Sequence, residues 1–236
     1  MSTSQKPSAK TVQTLFNRIA PVYDDFNNQL SFGLHRIWKR MAVNWSGLKP
    51  GDRALDLCCG SGDITYFLAQ QVGPTGTTIG VDFSAELLEI AASRSGTTYV
   101  PKTIQWVEAD VLELPFESNS FEGATMGYGL RNVVDIKGSL GEIYRVLKPR
   151  KTVAILDMHR PVQPALGRFQ NWYLENQVVP AAKRCGMIEE YKYIAPSLAR
   201  FPQGKEQEKL AQSVGFRDAI HYPIAAGMMG CLVAKK

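Results

Sequence analysis

The chain is poor in the residues that staple small proteins or hold metals. Its 236 residues include four cysteines and three histidines. Cys58 and Cys59 are adjacent, Cys185 and Cys231 stand alone, and no spacing resembles a disulfide framework or a zinc site. His35, His159 and His221 are scattered along the sequence. A reducing compartment, the cytoplasm, and no structural metal are therefore expected. The first ten residues are polar and lack an apolar segment, so no secretory signal is expected. No apolar run reaches the roughly 20 residues of a membrane span, so any membrane contact is expected to be peripheral. Long runs of one charge are missing too. The formal charge is +5, but its clusters (Arg36, Lys39 and Arg40; Lys148, Arg150 and Lys151) are too short for a nucleic-acid tail.

What is present is an ordinary globular composition, 44% hydrophobic and 21% charged. The length suits one domain with appendages, large enough to bury a core without staples. Val12, Leu15, Phe16 and Ile19 recur at helical spacing. A second helix is predicted over Leu34–Trp45, with Leu34, Ile37, Trp38, Met41 and Trp45 on one face; Gly47, Pro50 and Gly51 end it. Residues 1–50 thus read as a helical cap, and 51–236 as the main domain. From Arg53 the pattern changes. Short apolar strands at 54–57, 77–81, 104–107, 121–126 and 152–156 alternate with helices at 63–72, 85–94 and 136–147. Repeated strand–helix units imply a doubly wound α/β fold, its parallel sheet covered on both faces. Residues 161–204 read as a helical insertion broken by Pro180 and Pro196, with Phe169, Trp172, Tyr173, Tyr191 and Tyr193 in it. A helix at 205–213 and strands at 216–222 and 228–233 close the chain.

Asp56-Leu57-Cys58-Cys59-Gly60-Ser61-Gly62-Asp63 follows the first strand and opens a helix. In such folds ligands sit at the carboxyl ends of the strands, and glycines let backbone approach a ligand closely. Asp82 closes the second strand, twenty residues past Gly62; a carboxylate there can accept both hydroxyls of an adenosine ribose. Two cofactor classes use this arrangement. A dinucleotide wants Gly-x-Gly-x-x-Gly with its pyrophosphate on the helix N-terminus. Here the third position is Thr65, and Asp63 puts a negative charge in the first helical turn. S-adenosylmethionine carries no phosphate, and its sulfonium and ammonium suit Asp56 and Asp63. The electrostatics favour it. The plainer alternative, a tight turn with Asp63 as a helix cap, fits a lone glycine pair better than this combination. Asp110, after the third strand, would bond an adenine amino group, with Val111 offering a backbone N–H; its alternative role is a turn cap.

Further along stand Tyr23-Asp24, Leu30-Ser31-Phe32-Gly33-Leu34-His35-Arg36-Ile37-Trp38-Lys39-Arg40, Leu114-Pro115-Phe116 and Met126-Gly127-Tyr128-Gly129-Leu130-Arg131-Asn132-Val133. With these blocks the chain resembles the UbiE/MenG family of quinone C-methyltransferases, over nearly all its length from about Thr14. Tyr144-Arg145-Val146-Leu147-Lys148-Pro149 also fits but recurs in many methyltransferases. The chain departs from the family's usual pattern at Cys58-Cys59-Gly60-Ser61, at Gly127, where a serine is common, and at Arg150, where a glycine is usual. The Cys-Cys-Gly-Ser form is similar to the cyanobacterial and plastid branch.

The resemblance implies a class I, Rossmann-like methyltransferase with a mostly parallel seven-stranded sheet, N-terminal helices and a helical insertion. It implies S-adenosylmethionine bound by Asp56, Cys58, Gly60, Ser61, Gly62, Asp82, Phe83, Asp110, Val111 and Gly127. It implies a prenylated naphthoquinol substrate, demethylphylloquinol becoming phylloquinol, with demethylmenaquinone-, ubiquinone- or plastoquinone-type rings as alternatives. Arg131, Asn132 and Tyr23 are the expected catalytic residues: Arg131 and Asn132 would face the methyl group, and Tyr23 would close over the site. His35 is expected on a helix surface. No metal and no nucleic acid are expected. The fourth strand ends in Gly127-Tyr128-Gly129, not the Asn-Pro-Pro-Tyr type used on flipped bases. A thylakoid-membrane periphery and a homodimer stay open, as do a methyltransferase for another small molecule and, more remotely, an NAD-dependent oxidoreductase.

Overall fold

The computed structural model describes residues 10, 13–14, 33–94, 103–184 and 194–236. Seven strands form one sheet: β1 (Arg53–Leu57), β2 (Thr77–Asp82), β3 (Ile104–Glu108), β4 (Phe121–Gly127), β5 (Leu147–Met158), β6 (Asp218–Ile224) and β7 (Met229–Lys235). Their order is β3-β2-β1-β4-β5-β7-β6. β1 to β5 pair in parallel, and β7 runs antiparallel between β5 and β6. The central strands are buried on both faces, which is why Ala54–Leu57 and Ala124–Met126 read as runs and not as alternation. From β1 the chain steps outward to β2 and β3, then crosses back to place β4 on the other side of β1. That reversal opens a crevice at the strands' carboxyl ends.

The helices are α1 (Leu34–Trp45), α2 (Asp63–Val72), α3 (Ala85–Ser93), α4 (Ile136–Val146), α5 (Pro164–Tyr173), α6 (Val179–Arg184), α7 (Ile194–Arg200) and α8 (Gly204–Ser213). Ser84 caps α3 by accepting the Leu87 N–H, and Asp135 caps α4 by accepting the Gly138 N–H.

The structure corrects several local expectations. α1 buries His35, Lys39, Ala42 and Val43; of the predicted apolar face, Trp38 and Trp45 pack partly buried against the core, while Leu34 and Ile37 are exposed. The small Ala42 packs against Ala154 and Leu156 of β5, and Lys39 can be buried because it has an acid partner. β5 starts at Leu147, where a helix end was expected, and shifts register against β4 between the Phe121 and Gly123 pairings. Pro180 does not break the insertion. The helix widens to a π turn over Leu174–Val178, where the Val179 N–H donates to Leu174 O, and runs on through Pro180. Pro196 falls in the first turn of α7, where its missing N–H leaves no bond unmade. The helix expected around 12–19, Tyr23, Asp24, Tyr191 and Tyr193 lie outside the described residues.

Candidate functional site

β1 carries Asp56 to the floor of the crevice, fully buried. Thr65 Oγ1 donates to its Oδ2 at 2.7 Å and Thr125 Oγ1 to its Oδ1 at 2.9 Å. Burial pushes this carboxyl up to about 7, against the pull of the two hydroxyls and Lys39. Thr65, read in the sequence only as a missing glycine, is therefore a partner of the buried acid.

The turn after β1 folds back onto β2. Cys58 is left-handed at φ 51°, a rare state for a side-chain-bearing residue and one that concentrates at functional sites. The Gly60 N–H donates to Asp82 Oδ2 at 2.8 Å, and the Ser84 N–H to Oδ1 at 3.0 Å. Burial raises the Asp82 carboxyl to about 6. A carboxylate has about four lone-pair sites, so two backbone bonds leave it able to accept more. Gly62 is required for a different reason: a Cβ there would lie 2.6 Å from the Trp106 ring. Burial, reinforced by nearby carboxylates, raises both Cys58 and Cys59, so neither is a thiolate nucleophile.

A cavity of about 750 Å³ opens over these strand ends. Cys58, Gly60, Asp82, Phe83, Asp110, Val111 and Gly127 line it, with apolar walls from Val81, Leu87, Ala109 and Val133. A second, of about 340 Å³, shares Cys58, Gly60, Gly127 and Tyr128 and adds Asp56, Ser61, Lys39 and Asp63. Of the predicted cofactor contacts, only Gly62 lines neither. Asp110 fills both suggested places: its Oδ1 caps the Leu112 N–H at 3.0 Å, and it lies on the cavity wall. Gln13, from the N-terminal segment, donates its side-chain N–H to Phe83 O at the same rim.

Two charged residues depart from expectation. Asp63 is not open to a cationic ligand. Lys39 Nζ lies 2.8 Å from its Oδ2 and Arg94 NH2 2.7 Å from its Oδ1. Burial alone would raise Asp63, but the two cations outweigh it and hold it at about 2. Arg131 is taken up by an acid of the fold. Its backbone N–H donates to Asp157 Oδ2 at 3.0 Å, its Nε lies 3.5 Å from Oδ1, and it lines neither cavity. Asp157 is buried at the end of β5. A buried carboxylate needs a cation more than an open cleft does, and Arg131 supplies it.

Asn132 does reach the large cavity, its Nδ2 held by Tyr128 O at 3.0 Å. Tyr128, missed in the sequence, is left-handed at φ 60° and lines both cavities. A Cβ on Gly129 would lie 2.6 Å from Cys58 Cβ, so the β1 and β4 turns meet only through that glycine. Tyr23 lies outside the described residues.

The histidines are not scattered in space. His35 is buried in α1, and the Nε2 atoms of His159 and His221 lie 2.9 Å apart, with the Gln207 amide 2.8 Å from His159. β7 pairs with both β5 and β6, which brings them together. Burial lowers His159, and lowers His221 to about 4, so the pair is neutral. Among the described residues no group of three His, Cys, Asp or Glu could hold a metal, and no helix is long and apolar enough to cross a membrane.

The model of the ubiE/COQ5 methyltransferase family matches residues 3–236. The chain belongs to that family. It is 59% identical over 225 residues to the 2-phytyl-1,4-naphtoquinone methyltransferase of Nostoc sp. strain PCC 7120, covering 95% of this chain and 98% of that protein. It is 50% identical to the chloroplastic 2-phytyl-1,4-beta-naphthoquinone methyltransferase of Arabidopsis thaliana, over 94% of this chain and 86% of that one. Among solved structures it is similar to a SAM dependent methyltransferase from Aquifex aeolicus: TM-score 0.62, 18% identity, 84% of this chain and 88% of that one. That likeness, with the strand order above, is to the class I, Rossmann-like methyltransferase fold.

Proposed function

We propose that this family member transfers a methyl group from S-adenosylmethionine to a ring carbon of a prenylated naphthoquinol, turning demethylphylloquinol into phylloquinol. The near full-length relatives carry the choice of ring. The pair of joined cavities with Asp82 and Asp56 in their walls carries the choice of cofactor. A dinucleotide fingerprint would want glycine at position 65, where Thr65 instead donates to the buried Asp56. Asp82 would accept the ribose hydroxyls, and Asp110 and Val111 would meet the adenine edge between apolar walls. When bound, S-adenosylmethionine supplies an electrophilic methyl group.

The protein's part is to position the ring and move a proton. An oxidised quinone carbon is electrophilic and does not attack a sulfonium; the reduced ring does so once a hydroxyl has lost its proton. Asn132, held by Tyr128, orients the ring oxygen or the water that takes that proton. Arg131, fixed by Asp157, shapes the turn that carries Asn132. The test is incubation with S-adenosylmethionine labelled in its methyl group and reduced or oxidised demethylphylloquinone. Label enters the ring of the reduced form alone; no label in any reduced prenylquinone overturns the proposal.

A prenylated substrate suits an enzyme that works at the cytoplasmic face of a membrane. α5 leaves Phe169 and Trp172 half-exposed, with Val162 beside it almost fully exposed. Residues 160–200 carry six basic and three acidic side chains, and Arg160 and Arg168 are exposed. Aromatics among basic groups fit an anionic lipid surface. Vesicles with anionic lipid should bind the protein and lose it on combined Phe169→Ser and Trp172→Ser; equal binding of both proteins would exclude this face.

A further inference from the structure

Lys39 is a cation on a buried helix face, its side chain only 10% exposed. Its Nζ donates to Asp63 Oδ2 at 2.8 Å. An ammonium has three N–H donors, and no other hydrogen-bond acceptor meets Lys39 among the described residues. Its nearest further partner is the face of the Tyr128 ring, 5.9 Å from the ring centre. Asp63 does not depend on Lys39 for neutrality, since Arg94 pairs with its other oxygen at 2.7 Å. The burial of Lys39 therefore calls for a second reason.

That reason is the smaller cavity. Lys39 forms one wall, Asp56 another, and the Gly60–Ser61 turn a third. Lys39, paired with Asp63 in the same lining, and the buried acid Asp56 give the chamber a cation-bearing side and an anionic side. It shares Cys58, Gly60, Gly127 and Tyr128 with the cavity that holds Asp82. An α-amino acid is a zwitterion of that polarity. Its ammonium suits the Asp56 end, and its carboxylate suits an ammonium with donors to spare.

We infer that Lys39 anchors the α-carboxylate of the cofactor's amino-acid half and makes the small cavity select for that half. This rests on the cofactor reading above. Lys39 joins the cofactor to α1, so an N-terminal helix contributes directly to cofactor choice.

The experiment uses the full chain and two stable nucleosides, followed by calorimetry. S-adenosylhomocysteine carries the amino-acid half; 5′-methylthioadenosine lacks it. In Lys39→Met the first should weaken by about tenfold or more, while the second stays within about twofold. Lys39→Arg should recover most of the loss. Should Lys39→Met not fold, the wild type decides alone, by binding S-adenosylhomocysteine at least about tenfold tighter than its decarboxylated analogue. Equal affinity of wild type and Lys39→Met for S-adenosylhomocysteine, or equal loss of both nucleosides, would overturn the inference and leave the cofactor reading standing. Failure of the wild type to bind either nucleoside would overturn both.

Discussion

Carboxylates stand at the ends of β1, β2 and β5, and the fold treats them in two ways. On the β1–β2 side, Asp56 is fed by two threonine hydroxyls and Asp82 by two backbone N–H groups. Neutral donors orient an acid without cancelling its charge, so both remain available to a cation or a sugar. On the β4–β5 side, Asp157 is matched to Arg131, a full counter-charge. One half of the crevice is built to meet a ligand; the other spends its charges on its own scaffold. An acid at a strand end is therefore a ligand group only when what holds it is neutral.

The comparison can be broken at its strongest point first. Asp82→Ala should lower S-adenosylhomocysteine affinity by about 100-fold, the equivalent of roughly 3 kcal/mol for charge-assisted bonds and two stranded N–H groups. Asp157→Ala, at a carboxyl that burial raises although Arg131 pulls it down, should change it by less than about threefold in the same titration. Similar losses would erase the distinction between the two halves.

Asp157→Ala should instead appear in stability, by about 3 kcal/mol, because it leaves Arg131 buried without its counter-charge. Denaturant titration of Asp157→Ala, Arg131→Met and the double variant measures this. The double variant should lose less than the two singles added together; simple additivity would mean that the pair is not coupled.

Asp63 gives a smaller, pH-dependent effect. Its folded value near 2 lies below the ordinary 3.8, so its pairing stabilises the fold above about pH 4. That contribution fades as pH falls toward 2, where the folded carboxyl takes up its proton. Asp63→Asn should cost about 2 kcal/mol at neutral pH, less whatever water screens from a partly exposed Arg94. The gap to wild type should narrow in acid. A gap constant with pH would deny the ion pairs their part.

The smallest effect is a proton count. Asp56 sits near 7 in the free protein, so a cationic ligand that favours its ionised form should expel up to about half a proton per site at pH 7. The release should be larger at pH 6 and nearly absent at pH 9. Calorimetry in buffers of different ionisation enthalpy reads it, and Asp56→Asn should remove most of it at pH 7, leaving the smaller share of Asp82.

These contrasts also show what could be read from the chain alone. The strand–turn–helix from Asp56 to Asp63, and Asp82 beyond it, were legible because the turn and both strands are short, local and apolar on both faces. The helix boundaries of α2 matched for the same reason. The pairing of Arg131 with Asp157 was not legible, because Asp157 lies on the next strand and no local pattern ties the two. Lys39 and Asp63 are 24 residues apart, so nothing local marks that α1 buries a lysine and a histidine beside Ala42 and Val43. His159 and His221 meet only through the antiparallel register of β7, which no spacing announces. Pro180 looked like a breaker because a π turn has no simple sequence mark. Local geometry was readable; pairings made by the sheet were not.

The account rests on the crevice taking an adenosine by its ribose at Asp82. The direct measurement is a crystal structure of the full chain with S-adenosylhomocysteine. It should place both ribose hydroxyls within hydrogen-bond distance, about 3 Å, of the Asp82 carboxylate. The amino-acid half should lie in the smaller cavity. A nucleoside bound elsewhere, with Asp82 still held only by Gly60 and Ser84, would contradict it.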